Sequence, residues 1–77
     1  MSKYEVSEDT LKSLDNSYTY HSPKGDQPDR YVTIRDLAHK FAIHLCENCP
    51  KSRELSIALT DLEKVVTMAN KSIACNE

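Results

Sequence analysis

From residue 31 to the end of the chain, apolar residues return at three- and four-residue steps, and the stripe breaks once. Tyr31, Ile34, Leu37/Ala38, Phe41/Ala42, Leu45 and Cys49 fall on one face of a 3.6-residue period, which predicts an amphipathic helix running to about Asn48. Pro50 then stops it. Ser52 reads as the cap of a second helix, in which Leu55, Ala58/Leu59, Leu62, Val65/Val66, Ala69 and Ile73 repeat the same seam. Two helices of about 22 residues, each about 33 Å long and joined by about three residues, must run antiparallel. The expected fold class is all-α, with a two-helix antiparallel hairpin over residues 27–77 of a single domain.

Upstream the pattern is weaker. Residues 1–6 show no period. Ser7 can cap a short helix, Glu8 and Asp9 suit the positive end of its dipole, and Leu11 and Leu14 share a face. Fewer than ten residues do not hold a helix in isolation, so residues 1–17 read as an arm with a short helix that must dock on something or stay loose. Residues 15–25 are turn formers almost throughout and read as a loop, with 18–26 as its chemically loaded part. Pro23 biases Ser22 towards extended backbone, and Gly25 allows a positive φ just before the long helix. Asp26 reads as the cap of that helix, and Pro28 sits in its first turn, where a missing N–H costs nothing.

Composition changes this picture in one respect. Hydrophobic residues are 39% of the chain, aromatic residues 6%, and Trp is absent, so the core of the hairpin is thin. A chain of this length buries only about 60% of its unfolded surface even as a globule, and small scaffolds need disulfides, a metal or oligomerisation to hold. Ile43, Ile57 and Met68 lie off the main seam, and burial between subunits accounts for them. The expectation is a homo-oligomer built from helices.

The net charge of −2 provides no general positive field for duplex nucleic acid. No apolar run approaches the roughly 20 residues of a membrane span, and the first residues lack the charged-then-apolar pattern of a leader. A soluble cytosolic protein that contacts no membrane is expected. Three cysteines is an odd number, and free thiols are expected.

The chemistry concentrates in residues 18–35, which hold three of the four Tyr, two of the three Pro and the only Gly. Tyr20 and His21 offer flat faces for stacking a base, and Lys24 and Arg35 offer charge-assisted hydrogen bonds to phosphate. The competing reading makes Tyr18, Tyr20 and Tyr31 packing residues and Lys24, Arg30 and Arg35 a solvated rim. By residue chemistry alone the ligand is something flat and anionic. Elsewhere, His44, Cys46 and Cys49 have zinc-like spacing, but the third thiol, Cys75, lies about 35 Å from the turn by helical rise, which leaves the set short of four ligands. Carboxylates such as Glu47, Glu54, Asp61 and Glu63 are spaced like solvated helix faces. No nucleophile elbow, phosphate-cradling glycine loop or zinc-protease pattern is present, so neither an enzyme nor a cofactor is expected. A hairpin that docks on another protein through Ile43, Ile57 and Met68, with no small-molecule ligand, is the alternative.

Three runs carry a family resemblance. The first is Tyr20-His21-x-Pro23-Lys24-Gly25-Asp26-Gln27-x-x-Arg30-Tyr31-x-x-Ile34-Arg35, and the second is Glu47-Asn48-Cys49-Pro50-x-Ser52-Arg53-Glu54-x-Ser56-x-Ala58-Leu59-Thr60-x-Leu62-Glu63. With Ala69-Asn70 and Asn76-Glu77, the chain from 18 to 77 resembles the small phage anti-CBASS cyclic-oligonucleotide sponges of the helical-hairpin type. The resemblance implies a non-enzymatic, phage-encoded protein of the bacterial cytosol. It sequesters the cyclic dinucleotides, and the cyclic trinucleotides, that activate CBASS effectors in anti-phage immunity.

Interlocked hexamers, with each dinucleotide pocket shared by two protomers, are also implied. By motif position Tyr20 stacks on a base and Arg35 holds phosphate, while His21, Pro23 and Lys24 fold over the ligand and Arg30 and Tyr31 stand beside them. The chain departs from the family at Met68, where members often carry Trp, and at Cys75, where they often carry Arg. The second departure removes a basic group from the trinucleotide site, so dinucleotide binding is expected ahead of trinucleotide binding.

Overall fold

The computed structural model describes residues 3–77, which form three helices and no strand: α1 (Glu8–Tyr18), α2 (Gln27–Asn48) and α3 (Arg53–Asn76). Ser7 caps α1, its Oγ accepting from the Thr10 N–H at 3.2 Å. Ser52 caps α3 in the same way, accepting from the Leu55 N–H at 3.1 Å. Both caps satisfy donors that a helix start leaves orphaned. Gly25 takes a φ of +58°, a left-handed conformation in which a side chain is strained.

Two local expectations are corrected. Residues 15–18, expected to belong to the loop, are the last turn of α1, and the loop begins at Thr19. The extension has tertiary support, since Asn16 Nδ2 donates to the Cys75 carbonyl at the end of α3 at 2.9 Å. Asp26 occupies the cap position of α2 but makes no side-chain cap; its carboxylate turns to Arg30 instead, with Oδ1 3.2 Å from Nε.

α2 and α3 pair antiparallel along the expected seam. Ile34, Ala38, Ala42 and Leu45 are half-buried against Leu55, Leu59, Leu62, Val66 and Ala69. Within the apolar doublets of the stripe, the second residue of Leu37/Ala38, Phe41/Ala42 and Val65/Val66 faces the partner helix and the first is left exposed. The seam is therefore narrow and lined by small residues on α2.

No apolar side chain among the described residues is buried. The molecule measures 50 × 38 × 13 Å, and its thinnest dimension is close to one helix diameter, about 10–12 Å with side chains. Its radius of gyration is 17.2 Å, against about 11.5 Å for a compact chain of this length. The 6624 Å² it exposes exceeds the roughly 4,800 Å² of a globular 8.8 kDa protein. A single layer of helices has nothing on either face to bury.

Candidate ligand-binding site

The loop 19–26 hangs between α1 and α2 and is tied down at both ends. At the α1 end, His21 Nε2 lies 2.9 Å from the Asn16 carbonyl oxygen, which only accepts, so that nitrogen carries the proton. The Cys75 thiol approaches the same carbonyl at 3.8 Å. Asn16 thus joins α1, the loop and the last turn of α3.

At the α2 end the tie is Gln27, the one buried polar side chain among the described residues, at 4% exposure. Its Oε1 accepts from the Lys24 N–H at 3.1 Å, and its own backbone N–H donates to the Lys24 carbonyl at 3.1 Å. These two bonds close the turn that Gly25 makes possible. Gln27 Nε2 then donates to Glu77 Oε1 at 3.1 Å. The Arg30 guanidinium forks onto the same carboxylate, Nη1 to Oε2 at 2.9 Å and Nη2 to Oε1. Hydrogen bonds from Arg30 and Gln27 hold the Glu77 carboxyl down at about 2, against the desolvation that opposes them, with Lys24 adding a smaller attraction. The hydrogen bond to Glu77 pushes the Arg30 guanidinium up, with Asp26 contributing. Arg30 Nε is sheltered from solvent and within reach of Asp26 but makes no aligned hydrogen bond.

The residues singled out for ligand chemistry are placed as follows. Tyr20 is 82% exposed, its ring standing off the loop. Pro23 and Lys24 are exposed on the same loop, and His21 is half-buried by its bond to Asn16. Tyr31 is half-buried, and Arg30 is committed to Glu77. Arg35 lies elsewhere, in a shallow groove of about 750 Å³ between α2 and α3, with Ala38, Ala42, Leu59, Leu62 and Val66 along its floor. Arg35 forms no ion pair among the described residues. No loop residue lines that groove. One chain therefore carries the Tyr20 loop and the Arg35 groove as two separate features.

Gln27, Glu77 and Asn16 are the residues that sequence reasoning left without a role. Besides their local bonds to Lys24 and His21, Gln27 and Asn16 have partners 50 and 59 residues distant, and Glu77 has Arg30 47 residues distant, beyond the reach of any local pattern. Asn70 Oδ1 is buried without a hydrogen-bond partner among the described residues. Cys46 and Cys49 are exposed free thiols, and no group of three or more potential metal ligands gathers among the described residues.

Compared with known families, residues 10–74 match the model described as Acb2/Tad1, hairpin domain. The matched region starts upstream of the resemblance over 18–77, taking in most of α1, and Glu77 lies beyond its end. No curated protein and no solved structure matches the chain.

Proposed function

Since the chain belongs to the Acb2/Tad1 hairpin family of anti-CBASS cyclic-oligonucleotide sponges, we propose that it binds and sequesters a cyclic dinucleotide without altering it. The observation that carries this reading is the Tyr20 ring, fully offered to solvent on a loop that is tied at both ends. An exposed aromatic on a wandering loop is unremarkable. On an anchored loop it is a stacking platform whose ordering cost has been met before the ligand arrives.

The complete pocket is proposed to lie between protomers. A layer 13 Å thick cannot enclose a ligand, and Arg35 sits apart from the loop within one chain. A second copy brings its own Arg35 groove to the first copy's loop, and the near two-fold symmetry of a cyclic dinucleotide lets each subunit supply the same contacts. Surface area supports assembly. Each chain exposes about 1,800 Å² more than a globule of its mass, and two such excesses, about 3,600 Å², fall in the range of obligate interfaces. Leu37, Phe41, Ile43, Ile57 and Met68 are exposed apolar residues that such assembly would cover. The hexamer implied by family resemblance is one closed form of it.

In this reading Tyr20 stacks on a base, Arg35 and Lys24 face the phosphates, and His21 and Pro23 shape the loop. Arg30 and Tyr31 support the site from beneath. At position 75 a thiol faces the Asn16 carbonyl and supplies no positive charge, so the cyclic trinucleotide is not the proposed ligand. The place of action is the bacterial cytosol, and no helix among the described residues is long and apolar enough to cross a membrane.

Calorimetric titration with cyclic di-AMP, cyclic di-GMP and cyclic GMP–AMP tests the proposal, with chromatography of the ligand released by heating. Saturable binding and unchanged ligand are expected. Absence of binding across the panel defeats the ligand assignment, and a cleaved ligand defeats the non-enzymatic one. A complex with a host protein that survives Tyr20→Ala would favour the docking-module alternative.

A further inference from the structure

Resting on the ligand reading of the loop, we infer that Glu77 and Gln27 are positioning residues, a clamp that presents Lys24 and the loop to the ligand without touching it. Among the described residues no apolar side chain is buried; the one buried side chain is a glutamine, and it lies under this loop. Gln27 holds both backbone polar atoms of Lys24, the N–H through Oε1 and the carbonyl through its own N–H. Those two bonds use up the acceptor of its amide and the backbone donor, leaving Nε2 free to aim away from the loop.

What it meets there is Glu77, just past the end of α3, and Arg30 grips that carboxylate from α2 with two parallel bonds. The geometry reads as a relay in three steps. Arg30 orients Glu77, Glu77 orients the Gln27 amide, and Gln27 sets the Lys24 backbone. Reversing the amide would turn an N–H towards the Lys24 N–H and an oxygen towards the carboxylate, so Glu77 selects the rotamer that can accept from the loop. Arg30 is thereby spent on the clamp, which leaves Lys24 and Arg35 for phosphate out of the three cations in residues 18–35.

Hydrogen exchange by NMR tests the clamp with no ligand present. In the Glu77→Ala variant the Lys24 amide is expected to lose protection, while the mid-helix amides of Ala42 and Leu62 keep theirs. Gln27→Ala is the second variant, with the same expected loss. Titration of cyclic GMP–AMP, or of whichever of the three dinucleotides the wild type binds, is expected to show about tenfold weaker affinity for Glu77→Ala.

The loss should be smaller when added to Lys24→Ala than in the wild type, and undiminished when added to Arg35→Ala, because the clamp acts through Lys24. A merely structural role would weaken binding equally in both backgrounds. Unchanged Lys24 protection in both variants overturns the clamp. Lost protection with unchanged affinity overturns its role in binding. Wild-type protein that binds none of the three dinucleotides overturns the ligand reading and the positioning role with it, a failure told apart from failure of the clamp because Lys24 protection is read without ligand.

Discussion

Glu77 and Arg30, 47 residues apart in sequence, share a two-pronged ion pair that joins the end of α3 to the first turn of α2. The open end of the hairpin is closed by charge, since the apolar seam is too narrow to close it. Both side chains are about two-fifths exposed, 39% and 41%, so salt screens the pair and its contribution is modest.

The pair predicts a specific acid response. The Glu77 carboxyl is depressed from 4.5 to about 2, so its contribution to stability is present above pH 4.5 and is lost as pH falls through about 2. Arg30 stays charged throughout, so the loss belongs to Glu77. Thermal melts from pH 6 to pH 2 at low salt should show wild type and Glu77→Gln converging over that window as the wild-type carboxyl is protonated. A constant offset down to pH 2 would show that the pair contributes nothing.

Tyr20 and Arg35 should separate binding from folding. Stacking on an aromatic ring is worth about 1–3 kcal/mol per base, and Tyr20→Ala should weaken dinucleotide binding by that amount. Arg35→Ala should cost about 1.5–3 kcal/mol through lost charged hydrogen bonds. With the Tyr20 ring 82% exposed, ligand-free melting of Tyr20→Ala should match the wild type. A fall in melting temperature as large as that of a seam variant would make Tyr20 a packing residue.

Phe41 tests assembly. It stands 53% exposed on the outer side of α2, where a charge costs a lone protomer little. In an oligomer that covers this face, Phe41→Glu buries an unpaired carboxylate. Sedimentation should then show a smaller species for the variant than for the wild type. Equal masses would place the interface elsewhere.

Ser52 tests the turn. Its Oγ caps α3, and its carbonyl accepts from the Ser56 N–H at 3.2 Å. Ser52→Ala should destabilise the protein by about 1 kcal/mol in urea unfolding, and Ser52→Asp should restore most of that, because Asp caps as well and favours the helix dipole. A silent Ser52→Ala would mean that Pro50 alone sets the turn.

Helix existence and every helix end but that of α1 were legible in the residues because their causes are local. Ser7 and Ser52 bond to donors three residues away, Gly25 takes its φ by lacking a Cβ, and Pro50 interrupts the ladder wherever the chain goes. The seam was legible as a period, down to the doublets. Which member of the α2 doublets faces inward was not, because Leu37 and Ala38, like Phe41 and Ala42, both fit the stripe, and the smaller one faces α3.

The end of α1 escaped for a related reason. Asp15 to Tyr18 have turn-forming composition, and a contact from Asn16 to Cys75 outweighs it. By itself the sequence determined an all-helical hairpin, poor in large aromatic residues, with its aromatic and basic chemistry gathered before and within the first long helix. The tertiary structure decided how that chemistry is held. It separated Arg35 from Tyr20, withdrew Arg30 into a pair with Glu77, and put Gln27 under the loop. Each of these depends on how the end of α3 and the groove between the helices sit against α2, which no spacing along the chain encodes.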